Sequence, residues 1–396
     1  MVLQKIKKLH RRNATLKKQY QFNSLLQLIP RKKFDELVVK WEMDKGIKNF
    51  RCFELTCVLI VSSILELESF RSVEETLGVP KSTFGDALNK RPFGFFHDLC
   101  VEILRCLKAQ TSDRKTKRAL REILALDSSE IMVHGSAFCI PGWQQKSVGG
   151  QHKASGKIHV VWNINGEWVE DYRVTPGRKG DSPVSLEFKP LSGKMYVFDR
   201  AYNDISFWYK LTEHQSDFVS RLKDCSRIRY MELTLKVATS QKTGVLFDGI
   251  YKPSKATLVK HKTVPKGIKF RHVIYRDPIS NKLFHFISSD FNISAKEIAA
   301  IYKKRWAVEL LFRWMKGHLN IRRLATENPN AIKIQLTISV LVLLLLQFQK
   351  MVEQLQGTLW EFLRSIRATM KRNGLISQGF HGYIRGFSAS RAISTA

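Results

Sequence analysis

Ile301-Tyr302-Lys303-Lys304-Arg305-Trp306-Ala307-Val308-Glu309-Leu310-Leu311-Phe312-Arg313-Trp314-Met315-Lys316 is the stretch on which the reading of this chain turns. Ser294, with Glu297 three residues on, is a capping box that predicts one long helix running to about Gly317. At about 100° per residue, Tyr302, Arg305, Glu309 and Lys316 fall within roughly 60° of one another. Val308, Phe312 and Met315 form an adjoining apolar flank that can pack on a sheet. One face therefore offers a carboxylate with a phenol and two cations along the axis. A surface stripe with an ordinary Arg305–Glu309 pair at i, i+4 would look the same. A functional reading needs partners elsewhere in the chain.

Two such partners lie upstream. Residues 123–126 read as a short buried strand ending on Asp127, and 195–198 as a second ending on Asp199. A carboxylate at the end of a buried strand is costly unless something compensates it. One instance is explained by a cap or a salt bridge. Two in one sheet suggest a shared site, and converging carboxylates suit a hard divalent cation such as Mg2+. Between the two acids, 157–163 and 168–174 read as strands joined at Asn165-Gly166, the dipeptide of a tight hairpin turn. A helix at about 204–213 and a strand at 218–222 follow. Residues 225–290 set Thr, Val, Ile, Phe and Tyr between Gly and Pro, a strand-rich and turn-rich segment. Residues 330–372 are apolar and helical.

Upstream of Asp127 the pattern is helical from 21 to about 110. Within it, Ser72 to Leu88 has the shape of a helix-turn-helix: a short helix, Gly78 at the turn, then a second helix beginning with Lys81, Ser82 and Thr83. Ser82 and Thr83 are placed to cap that helix and to reach phosphates or base edges; a plain helical hairpin shares the pattern. Residues 1–20 carry seven Lys and Arg and no acid, a solvated arm that becomes a phosphate-contacting one if the partner is DNA.

The chain has 396 residues, 44% apolar and 26% charged, an ordinary globular composition. Its 66 Lys and Arg against 35 Asp and Glu give a formal net charge of +31. A surface that basic repels itself unless an anionic polymer neutralises it, and nucleic acid is the first candidate. The longest apolar run, 341–346 extended back to 336, falls short of a membrane span and predicts a buried helix. No signal peptide is evident. Cys52, Cys57, Cys100, Cys106, Cys139 and Cys225 show no CxxC pairing, which predicts reduced thiols in a cytoplasmic protein and no zinc site.

At Tyr302, Arg305, Glu309 and Lys316 the chain resembles a family. The spacing matches the Tyr-(2)-Arg-(3)-Glu-(6)-Lys signature of bacterial insertion-sequence transposases of the insertion-sequence-four group. Asp127, the Asp199-Arg200-Ala201-Tyr202 segment and the helical 20–110 region fit alongside. The resemblance implies an α/β fold: an RNase H-like core, a mixed sheet flanked by helices, with a β-rich insertion at 225–290 and a helical N-terminal DNA-binding domain. The expected division is a basic arm at 1–20, a helical domain at 21–115, the core at 116–330 and a C-terminal helical region at 331–396. It implies that Asp127, Asp199 and Glu309 are the catalytic triad that binds metal, two Mg2+ ions for which Mn2+ can substitute. Tyr302, Arg305 and Lys316 would grip DNA near the scissile phosphate, with Lys81, Ser82 and Thr83 contacting DNA from the N-terminal domain. Ions held by that triad would supply stabilisation of the attacking and leaving oxygens of an in-line displacement at phosphorus, and the resemblance implies that water would first free a 3′-OH, which would then attack further phosphodiesters.

The expected partners are double-stranded DNA, both terminal inverted repeats and target, and a second copy in a homodimer that brings two ends together. No membrane is expected, and the chain would act in the bacterial cytoplasm at the nucleoid. Weaker candidates are His152, Lys153, Lys157 and His159 as DNA contacts, Asp181 as a helix cap or support for the metal site, Arg200 and Arg221 beside phosphates, and Trp306 and Trp314 as holders of a flipped base. The alternatives are a transposase-derived repressor that binds DNA without cutting it, and a nuclease of the same fold that cuts without joining.

Overall fold

The computed structural model describes residues 22–112, 121–133, 140–144, 154–222, 244–319, 321, 323–324 and 326–372. The basic arm, His152, Lys153, Cys139, Cys225 and the segment after 372 lie outside the described residues.

Six helices come first: α1 (Phe22–Leu26), α2 (Arg31–Lys40), α3 (Cys52–Leu65), α4 (Phe70–Leu77), α5 (Lys81–Lys90) and α6 (Phe93–Ser112). The α3 sequence is apolar all round, and the helix is buried accordingly. Ser69 caps α4 by accepting from the Ser72 N–H, and Gly78 ends it at φ 69°, a left-handed turn that glycine adopts without strain. The second helix of the pair starts at Lys81, but its N-cap is Pro80 with no side-chain cap bond. The expected capping by Ser82 and Thr83 is therefore not made; proline leaves no side-chain acceptor at that position, and both hydroxyl residues are exposed.

The sheet strands are β1 (Ile123–Val133), β2 (Ala154–Asn163), β3 (Trp168–Pro176), β4 (Met195–Phe198), β5 (Asp217–Arg221), β6 (Val245–Tyr251), β7 (Phe270–Arg276), β8 (Leu283–Ser288) and the short β9 (Arg323–Leu324). Their order is β3-β2-β1-β4-β5-β8-β7-β6, with β9 beside β1. The β1–β4, β4–β5 and β1–β9 pairs are parallel; the others are antiparallel. This is the mixed sheet flanked by helices that an RNase H-like core requires. The three strands of the 225–290 region continue the same sheet, because β8 pairs antiparallel with β5. The β2–β3 connection is a four-residue turn over 164–167, with the positive φ at Glu167, so the tight two-residue Asn165-Gly166 turn is not formed. Asn163 Oδ1 accepts from the Gly166 N–H and closes the longer turn instead.

Between and after the strands lie α7 (Asp181–Ser185), a 3-10 turn (Arg200–Tyr202), α8 (Ile205–Glu213), α9 (Lys255–Lys260), α10 (Ala295–Lys304), α11 (Trp306–His318), α12 (Pro329–Val352) and α13 (Leu359–Arg372). Alternation along the strands splits the core. Leu124, Leu126, Tyr196, Phe198 and Phe218 pack on α8 through Phe207, Trp208 and Leu211. Ile123, Ala125, Val197, Val219 and Ile158 face the other way, into a core shared with α3, α6, α10, α11 and α12.

Asn328 caps α12 by accepting from the Asn330 and Ala331 N–H groups, and Pro329 sits where its missing N–H costs nothing. The helical segment expected over 330–372 is divided between α12 and α13, and α12, at 24 residues, is by length and composition long enough to cross a membrane, but 89% of its most apolar window is buried inside the protein. It is the central core helix, joining the N-terminal bundle to the sheet.

Candidate active site

Asp127 is not at the end of its strand. It is the fifth residue of β1, and what ends there is its neighbour: the parallel β1–β4 ladder closes with Leu126 opposite Phe198. Asp127 and Asp199 are therefore the next residues on two adjacent parallel strands, which lie about 4.8 Å apart. Further along that same edge of β1, β4 gives way to β9, which meets β1 only from Met132 onward. Residues 127–131 thus border a notch in the sheet. The two acids face the α10–α11 side, since Asp127 shares parity with Ala125 and Asp199 with Val197.

Ser294 and Glu297 form the expected capping box. The predicted single helix, however, is two. Arg305 closes α10 and opens α11, with its N–H bonded to the Tyr302 carbonyl and its carbonyl accepting from Val308, i to i+3 links that tighten the junction. Val308, Phe312 and Met315 are buried. That anchoring aims Arg305 and Glu309 into the notch.

The Arg305 guanidinium spans two carboxylates: Nη1 lies 3.0 Å from Asp127 Oδ2, and Nη2 bonds Glu309 Oε1. One guanidinium with a hydrogen bond at each end holds those oxygens within roughly 8 Å of each other. Asp127 Oδ1 accepts from the Ser128 N–H at 2.8 Å, and Asp199 Oδ1 from the Ala201 N–H at 2.8 Å, capping the 3-10 turn. Burial pushes the Asp127 carboxyl up to about 6; Arg305 and the Ser128 N–H pull the other way, and Asp199 and Glu309 add to the rise. Three carboxylates therefore share one electrostatic neighbourhood. Their oxygens are the donors a hard divalent cation takes. In this arrangement the positive charge between Asp127 and Glu309 is Arg305, and among the described residues no three acid, histidine or cysteine side chains form a preformed metal site.

The Tyr302 ring packs at a tilt against Phe286, centroids 4.9 Å apart, with the Arg305 guanidinium 5.6 Å from its own centroid. Burial raises its phenol pKa, Arg305 opposes this and Asp199 adds to it. Lys316 is half-buried toward Glu130: burial lowers its ammonium pKa and Glu130 opposes. Arg221 lies over the Phe284 ring at 5.2 Å, on the Tyr302 side of the site. Arg200 is exposed. Trp306 is half-exposed with the Arg313 guanidinium 5.9 Å from its ring, whereas the Trp314 indole N–H is buried. Lys81, Ser82 and Thr83 stand at the exposed start of α5, in the N-terminal bundle.

Three expectations need correction. His159 is fully buried, its ring bonded to Tyr202 Oη at 3.2 Å and Thr175 Oγ1 at 3.0 Å, and burial holds its imidazole well below the usual histidine range. It cannot reach DNA. Lys157 is nearly buried and directed inward, to Asp181 at 3.2 Å and the Lys179 carbonyl. Asp181 does not cap its helix; Gly180 holds the cap position, and Asp181 Oδ1 accepts from Ser128 Oγ at 2.9 Å. Sequence reading missed this polar cluster on the back of the sheet. Its signal was the alternation of Ser128 and Glu130 on β1 opposite His159 and Lys157 on β2, an inward-pointing polar stripe.

The family described as "Transposase DDE domain" matches residues 118–345, and a domain family of unknown function (DUF4372) matches 17–83. A protein of Sinorhizobium fredii named as transposase y4zB is 28% identical over 66% of this chain and 69% of its own length. A protein of Geobacillus stearothermophilus, named as a transposase for insertion sequence element IS5377, is 25% identical over 76% of this chain and 77% of its own length. One from Synechocystis, named for element IS4SA, is 28% identical over 73% and 77%. The cryo-EM structure of the piggyBac transposase synaptic complex with hairpin DNA superposes with a TM-score of 0.52 at 11% identity, covering 93% of this chain and 84% of that one. At that identity the likeness is one of fold.

Proposed function

The chain belongs to the DDE transposases of bacterial insertion sequences, and from that premise we propose that it cuts and rejoins DNA through Asp127, Asp199 and Glu309. The observation that carries the reading is the register: the β1–β4 ladder ends one residue short of both aspartates, and Glu309 is tied to Asp127 through Arg305.

The three carboxylates would hold Mg2+ or Mn2+, which supplies Lewis-acid stabilisation of the oxygens exchanged at phosphorus. The protein's own part is positioning. Asp127 and Asp199 are fixed by backbone N–H groups, and Glu309 is carried on a helix whose apolar flank is buried. Arg305, Tyr302 and Lys316 would face the phosphodiester backbone at the notch, neutralising charge and orienting the scissile bond. Lys81, Ser82 and Thr83, exposed at the start of α5, are proposed to hold DNA away from the cut, as the net charge of +31 favours. Two ends must be brought together, so the working form is proposed to be a dimer. The boundaries at 115 and 330 are retained as functional divisions, although one apolar core runs across both.

The test is incubation of the full chain with Mg2+ and duplexes carrying the element's terminal repeats, alongside Asp127→Asn, Asp199→Asn and Glu309→Gln. Nicking and strand-transfer products are expected from the natural chain only, with DNA binding kept in all three variants. DNA binding with no metal-dependent nicking would favour a repressor. Nicks without joined products would favour a nuclease, and substantial activity in any one variant would remove that residue from the triad.

A further inference from the structure

Arg305 is the cation between Asp127 and Glu309. Its guanidinium carries five N–H donors in a fixed fork. In the structure the fork is committed to Asp127 and Glu309, while the Nε–H is buried with no acceptor. A buried donor without a partner costs free energy that an added acceptor recovers. The residue stands at the junction of α10 and α11, where the helical hydrogen-bond ladder is already interrupted. Its guanidinium carbon lies 5.6 Å from the centroid of the Tyr302 ring, a cation–π contact.

We propose that Arg305 serves two anionic partners in turn: in the DNA-free protein it is the counter-cation that holds Asp127 and Glu309 together, and a DNA phosphate then draws it off, opening the space between the carboxylates to divalent cations. The inference rests on the metal-binding reading of the triad and extends it to an order of events. Without DNA the site carries its own positive charge and has little to gain from a metal ion. A phosphate oxygen at the notch offers the Nε–H its missing acceptor and competes for the fork, because phosphate suits the bidentate geometry as well as carboxylate does. As Arg305 turns toward phosphate, Asp127 and Glu309 lose their shared counter-ion beside the negative Asp199. That is when a divalent cation gains most. DNA binding and metal loading become two sides of one coupling free energy, which linkage makes reciprocal.

The experiment is calorimetric titration of Mn2+ into the full chain, with and without a duplex carrying the element's terminal repeat, for the natural sequence, Arg305→Ala and Arg305→Lys. Thermal melts confirm that each variant is folded. Lysine keeps a cation but replaces the planar five-donor fork by a compact ammonium, so it decides the matter if the alanine variant fails to fold. The expected result is that DNA tightens Mn2+ binding by about tenfold or more in the natural chain. In the variants the DNA-free affinity rises toward the DNA-bound value and the gap closes. As the reciprocal readout, Mn2+ should tighten duplex binding by the same factor, measured by fluorescence anisotropy. A DNA-free Mn2+ affinity that stays unchanged in both variants overturns the exchange and leaves the triad intact. Mn2+ binding to the DNA-bound chain that is absent, or insensitive to Asp127→Asn, removes the triad reading itself.

Discussion

The Arg305 guanidinium lies 3.0 Å from Asp127, a residue 178 positions earlier in the chain, and the two side chains are each about one-seventh exposed. Even with that cation beside it, Asp127 titrates near 6, above the ordinary aspartate value of 3.8, because burial outweighs the attraction. A carboxyl whose folded pKa is raised contributes stability below its unfolded pKa and loses it as the pH climbs through the folded one. At pH 7.5 the ionised acid therefore strains the fold.

Asp127→Asn should accordingly raise the stability of the metal-free protein at pH 7.5, by up to about 3 kcal/mol from a shift of roughly two pKa units. By the same linkage the gain should fall to about half at pH 5, where the folded natural protein is already largely protonated. Urea unfolding in EDTA at the two pH values measures both. A variant less stable than the natural chain at pH 7.5 would mean that the lost Arg305 contact outweighs the relief of a buried charge.

Lys316 is a half-buried cation on α11 whose ammonium is favoured by the charge of Glu130 on β1. If it contacts a phosphate, Lys316→Ala weakens DNA binding and lowers the slope of log affinity against log salt by about 0.9, the release of one counterion. Binding titrations between 50 and 300 mM salt read the slope. An unchanged slope confines Lys316 to its partnership with Glu130.

Much of this architecture is legible in the sequence, and what is hidden there has a common cause. Asp127, Asp199 and Glu309 stand out as candidates because burial makes an acid beside apolar residues conspicuous, and because helical spacing shows Glu309 in line with Tyr302, Arg305 and Lys316. That Asp127 sits in mid-strand was not legible. The apparent end at Leu126 is where β4 stops, an event 72 positions further along the chain. The break at Arg305 was hidden because nothing in Lys303-Lys304-Arg305-Trp306 departs from good helix formers. His159 reads equally as a DNA contact or as an ordinary strand residue, because histidine suits either place and its partners, Tyr202 and Thr175, come from another turn and another strand. The same holds for α12, whose companions are set by packing. Register and packing between distant segments are the information a single sequence carries least openly.

That packing of α12 supports a last prediction. Leu336 is fully buried and lies against Gly156 of β2 so closely that a Cβ on the glycine would stand 3.1 Å from Leu336 Cδ1. The next residue, Thr337, receives the Cys100 thiol of α6 on its carbonyl at 3.7 Å. One turn of helix therefore touches the sheet and the N-terminal bundle together, within a single apolar core. Leu336→Ala should open a cavity costing about 2–5 kcal/mol. The loss should be felt equally by Trp143, which packs beside Gly156, and by Trp41, which packs on Gly94 in the N-terminal bundle. Single-tryptophan versions followed by fluorescence in urea would report each region separately. A shared lower midpoint makes bundle and sheet one cooperative unit, and α12 the rigid link between the proposed DNA-holding helix α5 and the acid notch. A shift confined to Trp143 would mean that the bundle holds its fold without the sheet, and that α12 transmits nothing between them.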